Sequence, residues 1–152
     1  MISKYFSKAE CTRSSTAARL GISNEPDQAT WMRIKLLMTF VMDRIREATA
    51  PIVPNSVYRS PAVNAKVPGS AKTSQHMVGE ACDFLPNGWT VNNTIKKILE
   101  LNIPFDQLID EYGQWVHISY SSQRPNRGQI LRYRKISGKL HITKLDRKDF
   151  IA

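Results

Sequence analysis

Residues 74–83 of the chain read SQHMVGEACD, and residues 115–119 read WVHIS. The first stretch supplies the imidazole of His76 and the carboxylate of Asp83, and the second supplies the imidazole of His117. Two imidazoles and one carboxylate make a three-ligand set typical of catalytic zinc, which keeps its fourth position open for water or substrate. A structural zinc site would normally have four ligands, usually including cysteine, and the chain has only two cysteines. The sequence therefore predicts a catalytic Zn²⁺ site formed by His76, Asp83 and His117.

The composition is that of an ordinary soluble domain. The chain has 152 residues, of which 41% are hydrophobic and 23% charged, enough to bury a core without disulfides. Cys11 and Cys82 are too few for a disulfide framework. The N-terminus lacks a charged region followed by a long apolar stretch, and no apolar run approaches membrane-spanning length. We predict a single monomeric domain over residues 1–152, made in the cytoplasm without a signal peptide and not inserted into a membrane.

The net charge of +9 is concentrated near the C-terminus. Residues 121–152 contain nine Lys or Arg and only two Asp. Such a surface attracts polyanions, and an anionic cell wall is a more plausible partner than nucleic acid. A solvated basic face without a partner is an equally good interpretation.

The spacing of apolar residues predicts two helices. From about residue 28 to residue 48, Trp31, Ile34, Leu37, Met38, Val41 and Ile45 recur at helical spacing. Thr90 is a good N-cap for a second helix with Val91, Ile95, Ile98 and Leu99 on its buried side. A capping box over residues 7–10 predicts a short N-terminal helix, whereas residues 13–26 are predicted to form a loop.

Strand patterns follow these helices. We predict strands near residues 80–85, 106–112 and 115–120, the last two joined by a tight turn at Gly113–Gln114, and a basic hairpin within residues 121–152. Helices with adjacent antiparallel strands indicate an α+β domain. His76 then lies just before one strand, Asp83 within it, and His117 in the middle of a neighbouring strand. Because alternate side chains of a strand point the same way, the three ligands can converge on one face of the sheet.

These stretches resemble a known family, the zinc D-alanyl-D-alanine carboxypeptidases, dipeptidases and phage L-alanyl-D-glutamate endolysins of the hedgehog/DD-peptidase fold. The family pattern is Ser-x-His-x-x-Gly-x-Ala-x-Asp followed, after a long gap, by Trp-x-His. This chain matches the pattern at Ser74, His76, Gly79, Ala81, Asp83, Trp115 and His117. Residues 57–64 look like the Tyr-Arg-Ser block of the same family, and the phage and prophage branch is the most similar.

The resemblance implies a fold, a cofactor and a substrate. It implies the hedgehog/DD-peptidase fold, with a small antiparallel sheet packed against helices. It implies zinc bound by His76, Asp83 and His117, with Arg59 and Ser74 facing the substrate. The substrate would be the stem peptides of peptidoglycan, cut as a D-Ala-D-Ala carboxypeptidase or an L-Ala-D-Glu endopeptidase cuts them. The protein would then act on the cell wall, reaching it by phage-mediated release.

One position departs from the family pattern. Many members carry the catalytic acid three residues before the second histidine, where this chain has Gln114. Asp110 and Glu111 are the candidates to replace it, since a hairpin would fold their strand against the strand of His117. A two-residue turn would pair Asp110 with His117, and a three-residue turn would pair Glu111 with it. We favour Glu111 as the general base.

The expected chemistry is metal-assisted amide hydrolysis. Zinc would activate water and polarise the scissile carbonyl, and Glu111 would carry the proton to the leaving amine. The guanidinium of Arg59 would bind a peptide carboxylate or the developing oxyanion, and Ser74 would donate a hydrogen bond to the peptide. Arg59 has a structural alternative, a buried salt bridge.

Two other functions compete with the peptidase. A zinc-containing module that binds the wall without hydrolysing it is compatible with Gln114. A non-haem iron oxygenase also uses two histidines and one carboxylate, but its first two ligands are normally a His-x-Asp/Glu pair, whereas here His76 and Asp83 are seven positions apart. His141 is interpreted as a surface or packing residue, and Cys82 as a small core residue.

Overall fold

Five strands form one sheet in the order β1-β3-β2-β4-β5. The structure is a computed structural model that describes residues 1–152. The strands are β1 (Ala81–Phe84), β2 (Gln107–Glu111), β3 (Trp115–Ser119), β4 (Gln129–Ile136) and β5 (Lys139–Leu145). The strands predicted near residues 80–85, 106–112 and 115–120 and the basic hairpin are confirmed, and together with the helices they make an α+β fold.

The sheet is not purely antiparallel. β3 pairs antiparallel with both β1 and β2, and β4 pairs antiparallel with β5. β2 and β4, however, run parallel, with Gln107 opposite Gln129 and Glu111 opposite Tyr133. The expectation of an antiparallel sheet is wrong for this pair, because the chain leaves β3 and crosses back over residues 120–128 before β4 begins.

Six α-helices accompany the sheet. They are α1 (Lys8–Thr12), α2 (Ser15–Leu20), α3 (Gln28–Leu37), α4 (Asp43–Ala48), α5 (Pro61–Asn64) and α6 (Val91–Glu100). A π-helical turn, Met38–Met42, joins α3 to α4, so residues 28–48 form the long helix that the apolar spacing predicts. A 3₁₀ turn, Gln75–Val78, precedes β1, and another, Arg147–Asp149, follows β5. No helix has the length and apolar character needed to cross a lipid bilayer.

The N-terminal helices confirm one local prediction and contradict another. The capping box of α1 is present, since Ser7 Oγ accepts from Glu10 N and Ser7 N donates to Glu10. The predicted loop over residues 13–26 is wrong, because α2 lies within it, capped by Ser14 and ended by Gly21 in the left-handed conformation. Ala17 is the one buried residue of α2, so the sequence carries no apolar stripe there.

The core lies between the long helix, α6 and one face of the sheet. The sheet contributes Cys82, Phe84, Leu108, Val116, Ile118 and Ile130 to the same buried cluster as Ile34, Met38, Ile45, Ile95 and Leu99 from the helices. Alternate residues of the strands point to the opposite face. That second face, which carries Asp83, His117 and Glu111, is the one left for a functional site.

Ion pairs connect the basic C-terminal segment, residues 121–152, to Asp106 and Asp110 in and just before β2. Asp106 is buried, and its carboxylate accepts paired bonds from Arg124 and Arg127. Asp110 is also buried and accepts from Arg132 and Arg134. Four of the nine basic residues therefore neutralise internal carboxylates, and the free positive surface is smaller than the sequence suggests.

Candidate metal centre and adjoining cleft

His76 is held by a short turn placed directly before β1. Ser74 caps this turn, its Oγ accepting from His76 N at 3.2 Å. Gly79 ends it with φ +75°, a conformation that favours glycine, and leads the chain into β1. The two residues thereby fix where the His76 imidazole points, and that side chain is 3% exposed.

A backbone carbonyl fixes the tautomer of His76. Nδ1 lies 2.7 Å from the carbonyl oxygen of Val57, and because a carbonyl only accepts, Nδ1 carries the hydrogen. In the neutral ring, Nε2 then presents a lone pair. Such an outer hydrogen bond is the usual way in which proteins orient a metal-binding histidine.

Asp83 lies between the two histidines. It is the direct partner of His117 in the β1–β3 register. Its Oδ1 is 2.8 Å from His117 Nδ1, and its Oδ2 is 3.2 Å from His76 Nε2. One candidate ligand atom from each of the three residues lies within 4.8 Å of the others. The convergence expected from the sequence is present.

The donor set fits a divalent cation. In the neutral His76 ring, the lone pair of Nε2 faces Asp83 Oδ2, and both atoms are electron-pair donors without a hydrogen between them. A cation bound by both atoms would remove the repulsion between their lone pairs. Two imidazole nitrogens and a carboxylate oxygen are ligands that zinc accepts, and their number leaves a position open. His76 Nε2, an Asp83 oxygen and His117 Nδ1 would therefore hold the metal.

The electrostatics of the three residues are strongly coupled. Burial works to raise the pKa of Asp83, but the two histidines outweigh it and hold that pKa well below its usual range. Burial works to lower the pKa of His117, but the hydrogen bond from His117 to Asp83 reverses this and raises it. Asp83 is therefore a carboxylate at neutral pH, as a metal ligand must be.

Glu111 lies beside the triad, at the end of β2. The observed turn comprises Tyr112, Gly113 and Gln114, and it pairs Glu111 with Trp115 and Ile109 with His117. Neither predicted register is found. Glu111 is nevertheless two residues from Ile109 and so shares the face of His117, with Oε1 3.5 Å from His117 Nδ1. Burial, followed by the charge of Asp83, raises the pKa of Glu111 to about 7.

Asp110 lies on the opposite face of the sheet. Its carboxylate accepts from both Arg134 and Arg132, and from Gly113 N at 2.8 Å within the turn. Burial works to raise the pKa of Asp110, but the hydrogen bond from Arg134 and its other partners lower it. The structure brings Glu111 to the triad and keeps Asp110 away from it.

Arg59 approaches the same site without forming an ion pair. It is half-buried, and its Nε has no hydrogen-bond partner, so the alternative of a buried salt bridge is wrong. Burial lowers the pKa of Arg59, and the charges of Asp83 and Glu111 oppose that shift. Its backbone N–H donates to the carbonyl of His76 at 3.2 Å, which connects residue 59 to the turn that carries His76. An unpaired guanidinium beside two carboxylates is available to a ligand.

The remaining predicted residues are placed less directly. Ser74 is half-buried and caps the His76 turn, so its predicted contact with substrate stays a prediction. Gln114 is exposed in the turn and makes no side-chain hydrogen bond. His141 is exposed on β5, and Cys82 lies in the core, both as predicted.

An aromatic cluster beside Glu111 was not predicted from the sequence. The Tyr112 ring lies 6.0 Å from the Trp115 ring and 6.4 Å from the Tyr133 ring. The indole N–H of Trp115 is buried without a hydrogen-bond partner. Tyr133 could be found only through the parallel pairing of β2 with β4, which no local pattern reveals.

Comparison with known proteins identifies the family. A search among curated protein sequences gave no significant match. A family model described as Peptidase M15 matches residues 4–119, which include the metal triad, Arg59, Ser74 and Glu111. Peptidase M15 is a family of zinc peptidases, in agreement with the ligand set described above. The chain belongs to the Peptidase M15 family.

Proposed function

We propose that this chain is a zinc-dependent peptidase that hydrolyses the stem peptides of peptidoglycan, in the manner of an endolysin. The observation that carries the proposal is the meeting of four side chains on one sheet face. Three are the candidate ligands His76, Asp83 and His117, and the fourth is Glu111, a carboxylate of raised pKa 3.5 Å from His117. The substrate bond would be that of a D-Ala-D-Ala carboxypeptidase or an L-Ala-D-Glu endopeptidase, and the site of action would be the cell wall.

The roles of the residues follow from their chemistry. Zinc held by the triad would act as a Lewis acid toward the scissile carbonyl and make water nucleophilic at neutral pH. Glu111 would accept the proton of the attacking water and deliver it to the leaving amine, a role suited to a carboxyl group with a pKa of about 7. Arg59, whose guanidinium has no internal partner, would bind a peptide carboxylate or the developing oxyanion. Ser74 would contact the substrate while holding the His76 turn.

The departure at Gln114 is compatible with a rival function, a zinc-containing module that binds the wall without cutting it. Glu111 argues against that rival, because a module without hydrolysis would have no need of a partly buried carboxylate beside the triad. An iron oxygenase is excluded if the protein carries zinc rather than iron. Turnover on peptidoglycan separates the enzyme from the binding module.

The decisive experiment combines metal analysis with product analysis. Purified protein should carry one zinc per chain by elemental analysis, and the His76→Ala, His117→Ala double variant should carry none. Mass spectrometry of peptidoglycan stem peptides after incubation should show a new fragment whose mass identifies the bond cut. The double variant serves as the inactive control.

Each result has a defined meaning. Absence of zinc from the wild type, or its retention in the double variant, would contradict the metal assignment. Zinc without any fragment would leave the binding module as the function.

A further inference from the structure

The sheet face that carries the metal triad continues across β4 and β5. Glu111 is the register partner of Tyr133, which is in turn opposite Ile142, and the next pair outward on the same face is Lys135 with Leu140. Directly opposed residues share a face of the sheet. Tyr133, Lys135, Leu140, Ile142 and Lys144 therefore extend the face of Asp83, His117 and Glu111, and we call these five residues the hairpin face.

Aromatic rings join the metal centre to the hairpin face. Tyr112 contacts the rings of both Trp115 and Tyr133, and Lys135 Nζ lies 5.9 Å from the centre of the Tyr112 ring. Glu111 is close enough to Tyr133 for its charge to contribute, after burial, to a raised Tyr133 pKa. The surface from zinc ligands to hairpin is thus continuous.

The hairpin face is apolar and positively charged; its aliphatic side chains are exposed and its lysines form no ion pair within the chain. Leu140 is 49% exposed and Ile142 is 54% exposed. Lys135 and Lys144 are exposed and form no ion pair, whereas Arg132 and Arg134 are paired with Asp110. Exposed apolar groups flanked by unpaired charges of one sign mark a binding surface for a ligand of the opposite sign.

The dimensions indicate how long that ligand must be. Adjacent strands lie about 4.8 Å apart, so β5 is roughly 14 Å from β3, the strand of His117. An extended peptide advances about 3.3 Å per residue, so about four residues are needed to reach from the zinc ligands to β5. A substrate shorter than this cannot reach Leu140, Ile142 and Lys144 on β5 while its scissile bond lies at the metal.

We propose that the hairpin face binds an extended, carboxylate-bearing peptide portion of the substrate beyond the scissile bond. The proposal rests on the proposed peptidase function and adds a preference for long, acidic substrates. The lysines would pair with the carboxylates, and Leu140 and Ile142 would pack against the peptide. The match to the Peptidase M15 family model ends at residue 119, so the hairpin face lies outside the matched segment.

Two double variants at the hairpin tip provide a matched test. Lys135 and Leu140 are opposed on the hairpin face, and Ile136 and Lys139 are the neighbouring opposed pair on the other face, where Ile136 is 56% exposed. Lys135→Glu with Leu140→Ser is the test variant, and Ile136→Ser with Lys139→Glu is its control. Each removes one lysine and one aliphatic residue from an exposed position. The single variant Lys144→Glu tests the same face through a different residue.

Three peptides are the substrates. The first is a stem tripeptide containing the cleaved bond, the second continues it by four residues bearing carboxylates, and the third is the second with those carboxylates amidated. We expect wild type and the control variant to prefer the acidic long peptide over the tripeptide by about tenfold in kcat/KM. That ratio should fall when the peptide is amidated, when salt is high, and in the test variant and Lys144→Glu. Each of these changes removes or screens the attraction between the lysines and the peptide carboxylates.

Binding to the zinc-loaded Glu111→Gln variant separates this inference from the peptidase proposal. A lower Kd for the acidic peptide than for its amide, lost when Lys135→Glu is added, supports the hairpin face even if no peptide is cleaved. Failure of cleavage alone contradicts the peptidase proposal. Equal binding of the two long peptides, or equal effects of the test and control variants at unchanged melting temperature, overturns the hairpin-face inference.

Discussion

Glu111 is the residue to which the proposed mechanism assigns proton transfer. It lies 3.5 Å from His117, and its pKa is raised to about 7 first by burial and then by Asp83. Its neighbour Asp110 has the same chemistry but faces four hydrogen-bond donors on the other side of the sheet. One position along a strand therefore separates a candidate base from a structural anchor.

The Glu111→Gln variant should retain zinc and melting temperature but lose about 10² to 10⁴ in turnover, the usual contribution of a general base. Glutamine has the same shape and cannot accept the proton. Elemental analysis, thermal unfolding and kcat on stem peptides make the measurement. An active wild type whose Glu111→Gln variant keeps full turnover would contradict the assignment.

The Asp110→Asn variant is the comparison for Glu111→Gln, and it should lose stability instead of turnover. It leaves Arg132 and Arg134 facing a neutral amide at a buried position, so the free energy of unfolding should fall by about 3 kcal/mol. Turnover per folded molecule should change little. Denaturant unfolding measured beside kcat distinguishes the two outcomes, and a stable but inactive Asp110→Asn protein would show that the base has been assigned to the wrong residue.

Arg59 should matter for substrate and little for stability. Its guanidinium forms no ion pair and its Nε has no partner, so Arg59→Ala removes no internal interaction of that group. We expect kcat/KM to fall by about 10² to 10³, as when one donor to a developing oxyanion is removed, with the melting temperature unchanged. Arg59→Lys, which keeps the charge but not the planar fork, should recover part of the rate. A loss of several kcal/mol of stability would instead indicate a structural arginine.

Among the secondary-structure elements, the turn before β1 is the one that positions His76, the first candidate metal ligand. Gly79 ends this turn with φ +75°, and a Cβ added there would lie 2.8 Å from Ile34 Cγ1 and 3.0 Å from the carbonyl oxygen of Thr30. The turn therefore packs so closely against the long helix that residue 79 has no room for a side chain larger than hydrogen. His76 lies three residues earlier and moves with it.

Gly79→Ala should therefore lower both stability and zinc affinity. The left-handed conformation and the close contact together should cost about 2 to 4 kcal/mol of unfolding free energy. Gly69→Ala is the matched control, because Gly69 has φ +73° but no atom within 4 Å of the added Cβ. It should cost about 1 kcal/mol and leave zinc affinity unchanged. Equal losses for the two variants in denaturant unfolding and zinc titration would refute the contact argument.

Elements with local signals could be predicted, and those defined by distant partners could not. The long helix, α6 and the strand of Asp83 follow from apolar spacing and caps within one segment. The helix α2 was missed although Ser14 and Gly21 are good caps, because it buries a single alanine. A three-residue turn was one of the two alternatives, but the register deduced from it was wrong, because a turn over residues 112–114 makes its flanking residues Glu111 and Trp115 partners.

At the scale of the whole molecule, the same distinction holds for the site. The convergence of the three candidate ligands, with Arg59 close by, could be predicted because a motif and its spacing carry these residues. The ion pairs of Asp106 and Asp110 with arginines 18 to 24 residues later depend on the parallel β2–β4 pairing, which no local pattern encodes. Those ion pairs mean that four arginines of the basic C-terminal segment stabilise the fold, while its other basic residues remain on the surface.

Asp106 should accordingly control the acid stability of the whole chain. Burial works to raise its pKa, but hydrogen bonds from Arg127 and Arg124 hold that pKa well below its usual range. A carboxyl group whose pKa is lower in the folded chain than in the unfolded chain, where it is about 3.9, stabilises the fold above that pH. The stabilisation is lost as the pH falls through the lower, folded-state pKa.

Asp106→Asn should therefore unfold at lower denaturant concentration than wild type at pH 7, by about 3 kcal/mol of unfolding free energy. The gap should narrow steadily below about pH 4, as the wild-type carboxylate is protonated. Urea unfolding of both proteins from pH 7 to pH 2 measures this difference in unfolding free energy. The titration of the metal ligands is common to both proteins and therefore cancels in the difference. Asp146→Asn is the control, since Asp146 is 73% exposed and its nearest cation is 3.9 Å away. The difference in unfolding free energy between wild type and Asp106→Asn could instead stay constant with pH. Packing, and not the charge of Asp106, would then hold the C-terminal segment against the rest of the sheet.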